Sequence, residues 1–318
     1  MTGPVTVTAA GMAGSRRLIR VIDTLGEMFV DLAAGRTRSP ARTVLEHGPQ
    51  RVLLVSPAIW EQRGVGSVKI TTLTPDNPER GLPLIHGVVA LTDLTTGQIT
   101  ALLDGAELTA IRTGAVAALA TRWCTADDAD DLAVIGAGVQ ARSLVRAVAA
   151  VRRIRTVRIF SRTRSRAEEF ADEVRDTAPH PVRVEVCDTA RAAVRDAPII
   201  CTATSTSADR PVLAADWVAS GAHVNVIGGT HPDAIEVEPA LLTDAVVVVE
   251  DRTAARDGAG EVRAALAAGL IRPDDLCELG ALVTGEVRAG GRTSVLRTVG
   301  MAIEDTAAAV ALHEAAGG

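Results

Sequence analysis

LAVIGAGVQARSLVRAVAAV, residues 132–151, is the stretch that decides the fold. The apolar run LAVI has β-strand character, and it leads through G-x-G-x-x-A into a helix-forming segment. In this context the first glycine permits a tight turn, the second lets the backbone approach a diphosphate, and the small alanine allows the helix to pack closely on the strand. The positive end of the helix and its free N–H groups favour phosphate. We therefore predict a dinucleotide site at Gly136, Gly138, Val139, Gln140 and Ala141.

The pattern after this stretch predicts a Rossmann-type, doubly wound parallel sheet in an α/β protein. Apolar runs such as TVRIFSR, PIICTAT, HVNVIGG and AVVVVED alternate with helical segments, and they lack the period-two pattern of a half-exposed sheet. This alternation is typical of a parallel sheet covered on both faces.

The residues before this stretch predict a smaller α+β domain. A helix is expected over residues 16–35, followed by short strands, a hairpin in LTDLTTGQITALLDG and an Ala-rich helix that carries Arg112. We predict a substrate-binding and dimerisation domain over residues 1–124 and an NAD(P)-binding Rossmann domain over 125–297. A C-terminal helix over 298–318 would return to the first domain.

Composition narrows the classes of function. The net charge is −6 with dispersed arginines, which argues against nucleic acid as a partner. No apolar run approaches the roughly 20 residues of a membrane span, and no secretory leader is visible, so we expect a cytoplasmic protein without membrane contact. The four cysteines lack metal-ligand spacing, and no metal is expected. Tyrosine is absent, which excludes any mechanism that needs a phenolic proton donor.

The choice of dinucleotide is predicted at the end of the strand that follows residue 151. NAD-binding domains usually place an acidic residue there for the ribose hydroxyls. This chain instead has Ser161, Arg162, Thr163 and Arg164. Hydroxyl and guanidinium groups suit a 2′-phosphate, which a carboxylate would repel. NADP(H) is therefore favoured over NAD(H).

Lys69 is the only lysine among 33 basic residues. Arginine can replace lysine where only a solvated charge is needed, but not where a compact ammonium must give up a proton in a tight pocket. We therefore predict a functional role for Lys69, the alternative being chance survival on a surface strand.

Several segments together resemble the ornithine cyclodeaminase and mu-crystallin family along nearly the whole chain. They are SPAR, GVGSVKI, LLDGAELTAIRTGAVAALA, VIGAGVQA, ICTATSTSADRPVL, HVNVIGGTHPDAIEV and VGMAIEDTAAA, in matching order and spacing. The resemblance implies a homodimer that transfers hydride between a nicotinamide and the α-carbon of a small α-imino or α-amino acid. Family reactions include cyclodeamination of ornithine or lysine, alanine dehydrogenation and reduction of cyclic ketimines.

The resemblance also implies roles for individual residues. Arg42 and Arg112 would clamp the substrate carboxylate, with catalytic Lys69 beside the carboxylate and the α-nitrogen. Thr230 and His231 would lie near the substrate. Three hydroxyl residues would line the cofactor cleft, namely Thr202, Thr204 and Ser205.

One departure from the family bears on the reaction. Cyclodeaminases and some alanine dehydrogenases of the family carry an aspartate after the glycine pair of the segment VIGGTHP, where this chain has Thr230. Threonine cannot act as a general base near neutral pH. We therefore predict an NADP(H)-dependent oxidoreductase of the ketimine reductase or amino acid dehydrogenase type. The alternatives are an NAD-dependent cyclodeaminase-type ammonia lyase and a non-catalytic, NADPH-binding crystallin-like protein.

Overall fold

The computed structural model describes residues 3–48, 50–205, 210–229 and 231–316. The chain divides into two compact units, Met1–Arg112 with Gly300–Gly318, and Thr113–Val299. Sequence patterning placed the first boundary at residue 124, the end of a helix, whereas the division falls inside that helix. The second boundary falls two residues later than predicted.

The first unit is built on a mixed sheet. In the described part of the chain this sheet has seven strands, in the order β1-β7-β6-β5-β4-β2, with β3 also pairing with β4. Only β1 and β7 pair in parallel, and β6 and β7 form the predicted hairpin. The strands are β1 (Val5–Val7), β2 (Thr37–Arg38), β3 (Thr43–Glu46), β4 (Val52–Trp60), β5 (Val65–Leu73), β6 (Ile85–Asp93) and β7 (Ile99–Asp104).

Helices cover one face of this sheet. They are α1 (Ala9–Met12), α2 (Ser15–Ala33), the start of α3 (Gly105–Cys124) and the chain's last helix, α10 (Ala302–Ala316). Helix α2 buries Val21, Ile22, Leu25 and Phe29, whose spacing forms one helical stripe. Helix α10 packs against α2 and against the central strands. It is buried over almost its whole length, including the two acids Glu304 and Asp305.

The second unit confirms the predicted doubly wound α/β class. Its sheet is parallel throughout, in the order β10-β9-β8-β11-β12-β15-β13-β14. The strands are β8 (Asp131–Ile135), β9 (Thr156–Phe160), β10 (Arg183–Val186), β11 (Ile199–Thr202), β12 (His223–Val226), β13 (Val246–Val249), β14 (Leu276–Glu278) and β15 (Ser294–Arg297). The helices are α4 (Val139–Val151), α5 (Arg164–Thr177), α6 (Ala190–Val194), α7 (Arg252–Gly258), α8 (Gly260–Ala267) and α9 (Leu279–Val283).

The order of strands fixes where a ligand can enter the second unit. The chain runs outward from β8 to β9 and β10, and it then returns to β11 on the other side of β8. A crevice therefore opens at the carboxyl ends of β8 and β11, which is where open α/β sheets bind their ligands. Among the described helices, none is both long enough and apolar enough to cross a bilayer.

Candidate active site

The turn after β8 has the geometry of a diphosphate cradle. Gly136 has φ +123°, and its N–H donates to the carbonyl of Phe160 at 2.8 Å. A Cβ at Gly136 would overlap the carbonyl oxygen of Ala203, on the facing loop after β11. Only glycine therefore satisfies both the backbone angle and the close approach. Gly138 is the N-cap of α4 and has open space where a Cβ would be, so the backbone there can be approached closely.

The first turn of α4 presents its backbone to a ligand. No side chain of the described residues caps its N-terminus, which leaves the helix end available to an anion. Val139 is 65 % exposed, whereas Ala141 is completely buried against the sheet. The buried side-chain oxygen of Gln140 has no hydrogen-bond partner among the residues that the structure describes. The geometry of these residues fits a dinucleotide.

The two arginines of the loop after β9 have different surroundings. Arg164 is held by Glu168 at 2.9 Å and by Asp188 at 2.5 Å. Arg162 is exposed, and it makes no ion pair or hydrogen bond within the described ranges. Thr163 begins α5, and its N–H donates to the hydroxyl of Ser161 at 3.4 Å. Arg162 is therefore the guanidinium on this loop that a phosphate could recruit.

Two of the predicted cleft hydroxyls already form hydrogen bonds within the second unit. Thr202 and Thr204 donate their hydroxyl protons to Glu236, over 2.8 and 2.7 Å. Ser205 is exposed on the same loop. Both threonines thus bind Glu236, a completely buried acid that the sequence did not single out.

The first unit brings Lys69 and Arg112 to one carboxylate. Lys69 Nζ lies 2.7 Å from Asp305 Oδ2, and Arg112 Nε lies 3.2 Å from Asp305 Oδ1. Arg112 also pairs with Glu304 through Nη1, at 2.8 Å. Lys69 donates a further bond to Thr109 Oγ1 at 3.3 Å. We call Lys69, Arg112, Glu304 and Asp305 the cationic–acidic cluster; its formal charge is zero.

The two cations of this cluster are nearly buried, and burial changes the acidity of Lys69. Only 12 % of the Lys69 side chain and 11 % of the Arg112 side chain are exposed. Burial lowers the pKa of Lys69, Asp305 opposes that shift, and the charge of Arg112 adds to it. An ammonium with a lowered pKa gives up its proton more readily. The third N–H group of the Lys69 ammonium is not used by any described residue. Lys69 can therefore bind an incoming anion while it stays bound to Asp305.

The remaining predicted substrate residues do not bind to the cationic–acidic cluster in the described part of the chain. Arg42 is exposed between β2 and β3, without a hydrogen bond or ion pair to the part of the chain that the structure describes. Thr230 lies outside the described residues. His231 belongs to the second unit, is 76 % exposed at its side chain, and accepts a bond from the N–H of Asp233 at 3.3 Å.

Sequence reasoning missed the acids of the cluster. Glu304 and Asp305 stand in MAIEDTAAAV, an otherwise apolar run, and both are at most 1 % exposed. A charge in a buried helix needs a partner. Arg112 stands on the Ala-rich helix α3, so this argument could have paired it with these two acids.

Comparison with known proteins identifies the family to which this chain is similar. The family model for the ornithine cyclodeaminase/mu-crystallin family matches residues 4–318. The chain is 34 % identical to a Δ1-pyrroline-2-carboxylate reductase of Bacillus cereus, over 90 % of this chain and 88 % of the relative.

Two solved structures share the fold along nearly the whole chain. One is Thermococcus litoralis Δ1-pyrroline-2-carboxylate reductase in complex with NADH and L-proline (TM-score 0.88, 28 % identity, 98 % and 96 % coverage). The other is an archaeal alanine dehydrogenase dimer with bound NAD (TM-score 0.86, 26 % identity, 98 % and 95 % coverage). The resemblance drawn from the sequence segments is confirmed, and the chain belongs to the ornithine cyclodeaminase/mu-crystallin family.

Proposed function

We propose that this protein is a nicotinamide-dependent oxidoreductase that reduces the C=N bond of a small α-imino acid. The observation that carries the proposal is the pairing of Lys69 and Arg112 on opposite oxygens of Asp305. An ammonium of lowered pKa and a fixed guanidinium, held side by side, suit a ligand that carries both a carboxylate and a basic nitrogen.

Each residue of the cluster has a separate role in the proposed reaction. Arg112 and Lys69 bind the substrate carboxylate and so orient the α-carbon. Lys69 Nζ holds the proton that the imine nitrogen gains when the C=N bond is reduced. Asp305 keeps both cations in place, because each of its oxygens binds one of them. When bound, the reduced nicotinamide supplies the hydride that the imine carbon accepts.

Two relatives support reduction. Both the Bacillus relative and the Thermococcus relative are named as reductases of Δ1-pyrroline-2-carboxylate, a cyclic imine with an α-carboxylate. Cyclodeamination is disfavoured by the threonine at position 230, as argued from the sequence. A purely sequestering protein would not need a buried lysine of lowered pKa beside a carboxylate-binding arginine.

A panel of substrates tests this proposal. Purified protein is mixed with NADPH and either Δ1-pyrroline-2-carboxylate, its six-membered homologue, or pyruvate with ammonia, and the absorbance of the reduced nicotinamide is followed. A parallel reaction contains ornithine with NAD⁺. We expect the fastest oxidation of NADPH with a cyclic imine. Ammonia release from ornithine alone would support the cyclodeaminase alternative, and tight NADPH binding without any turnover would support the sequestering one.

We further propose that NADPH is preferred to NADH through Arg162. The support is its exposed position after β9, its lack of a partner within the described ranges, and the absence of an acid among residues 161–164. Arg162→Ala is expected to raise the Kd for NADPH about 10-fold and to leave that for NADH unchanged, since one charge-assisted bond to the 2′-phosphate is lost. Fluorescence titration with both nucleotides measures this.

The control for that titration is Arg175→Ala, which removes another exposed arginine of the same unit that is paired with Asp172. It should leave both affinities unchanged. Equal affinity of Arg162→Ala and wild-type protein for NADPH would refute the role of Arg162.

We also propose that the protein is a homodimer that uses the apolar face of the first unit's sheet. Leu45, Val68, Ile70 and Val88 lie on the face opposite Lys69, and each is between 36 and 54 % exposed. Exposed apolar patches of this kind mark protein interfaces. The archaeal alanine dehydrogenase relative is described as a dimer. Light scattering should give twice the 33.0 kDa chain mass, and a monomer at micromolar concentration would contradict this.

A further inference from the structure

The carboxylate of Glu236 joins the loops that follow β11 and β12. Its Oε1 accepts hydrogen bonds from the N–H of Thr204 at 2.5 Å and from the hydroxyl of Thr204 at 2.7 Å. Its Oε2 accepts from the hydroxyl of Thr202 at 2.8 Å and from the N–H of Gly228 at 2.6 Å. Four donors therefore converge on one buried side chain, two of them from the backbone.

Burying this carboxylate costs free energy unless all four hydrogen bonds are made. Glu236 is completely buried, and burial raises its pKa above the ordinary value. The donors of Thr204 and Thr202 and the charge of Arg297 oppose that shift. Both oxygens act as acceptors, which is the pattern of an ionised carboxylate. An apolar residue at this position would leave the N–H groups of Thr204 and Gly228 without their acceptor.

The loop that Glu236 holds forms one wall of the dinucleotide crevice. Ala203, between the two threonines, donates its N–H to the carbonyl of Ile135 at 2.9 Å, and its own carbonyl faces Gly136. On the other side Arg297 donates to the carbonyls of Gly228 and Gly229, at 2.8 Å each. Both loops lie at the carboxyl ends of parallel strands, where the ligand of such a sheet binds.

We propose that Glu236 is a positioning residue for the dinucleotide, acting through the loop of residues 203–205 and the backbone at Gly228. The inference rests on the proposed use of a nicotinamide dinucleotide, and it adds a residue outside the glycine-rich turn. Glu236 fixes the distance between the loop and that turn. It does not itself touch the ligand.

The exchange of Glu236 for glutamine isolates this role. A glutamine keeps the size of the side chain but has an oxygen on only one branch, and its NH₂ group can donate but not accept. The hydroxyls of Thr202 and Thr204 can rotate to accept from that NH₂ group. The N–H groups of Thr204 and Gly228 cannot, so either orientation of the amide opposes one backbone donor and loosens one loop.

The experiment compares Glu236→Gln with Glu238→Gln in the full-length protein. Glu238 is two residues along the same segment and accepts a bond from the N–H of Ala215 at 2.9 Å, on a different loop. The readouts are the Kd for NADPH by fluorescence, the melting temperature without nucleotide, and kcat and KM for the imine substrate. Glu236→Gln is expected to raise the Kd for NADPH at least about 10-fold and to leave the KM for the imine nearly unchanged. Glu238→Gln should bind NADPH as the wild type does.

A second variant disturbs the same contacts from the other loop, and its melting temperature is measured beside its affinity for NADPH. In Gly228→Ala, the new methyl group would overlap the Glu236 carboxylate and the carbonyl oxygen of Thr204, so it should weaken NADPH binding by the same route. If Glu236→Gln lowers only the melting temperature and binds NADPH as tightly as wild type, the positioning role is wrong. If wild-type protein binds no nicotinamide dinucleotide, the proposed function fails first, and that result is distinct from failure of the Glu236 inference.

Discussion

Lys69→Arg is expected to lower kcat for imine reduction by about 10²- to 10⁴-fold, the usual contribution of a positioned proton donor. The charge is kept, but a guanidinium holds its proton at any physiological pH, and it is larger than the ammonium it replaces. Lys69 is 12 % exposed at its side chain and binds Asp305 at 2.7 Å, so there is little room for the larger group. Stopped-flow measurement of NADPH oxidation would give the rate of the chemical step.

The Kd for NADPH should stay at the wild-type value in Lys69→Arg, because the residues that fit the dinucleotide belong to the second unit. Arg38→Lys provides the matched control. It exchanges the same two residue types at an exposed ion pair with Glu61 in the first unit, and it should leave turnover unchanged. Wild-type turnover by Lys69→Arg would refute the assignment of Lys69 as the proton donor.

Arg112→Met is expected to destabilise the protein and to weaken productive substrate binding. The exchange leaves Glu304 without its ion pair at 2.8 Å in a fully buried position, and removing one partner of a buried pair costs about 3 to 5 kcal/mol. The substrate carboxylate loses its bidentate donor, so kcat/KM should fall by at least about 10²-fold. Chemical denaturation and steady-state kinetics measure the two effects separately.

A double variant separates folding from function at this position. Arg112→Met combined with Glu304→Gln removes both members of the buried pair, and it should recover most of the lost stability. Activity should not return, because the guanidinium is still missing. Recovery of activity in the double variant would mean that Arg112 has only a structural role.

The fold and part of the site could be predicted from local sequence signals. The glycine turn at Gly136 follows a β-type run and precedes a helix, so a single segment specified the class of the second unit. Lys69 was found by composition, and Arg112 by the family resemblance. In the first unit the structure brings these two residues to the same carboxylate.

The features that were missed depend on contacts distant in sequence. Strand β15 lies between β12 and β13 in the sheet. In the sequence its four residues are flanked by charged and turn-forming residues, so the hydrophobic pattern did not predict a strand there. Asp305 is more than 190 residues from Arg112, and Glu236 meets Thr204 across 32 residues. Acids are common in sequences. Only the fold shows that these acids are buried and which cations and hydroxyls they bind.

The most direct test of the account compares Δ1-pyrroline-2-carboxylate with Δ1-pyrroline, the same cyclic imine without its carboxylate, as substrates for NADPH oxidation. The six-membered pair is included in case ring size limits entry. A site built to bind a polar group rejects an analogue that lacks it, and we expect kcat/KM to fall by at least about 10³-fold without the carboxylate. The same difference should shrink in Arg112→Met combined with Glu304→Gln. Equal turnover of the two imines by wild-type protein, or no turnover of either acid, would contradict a function based on Lys69 and Arg112.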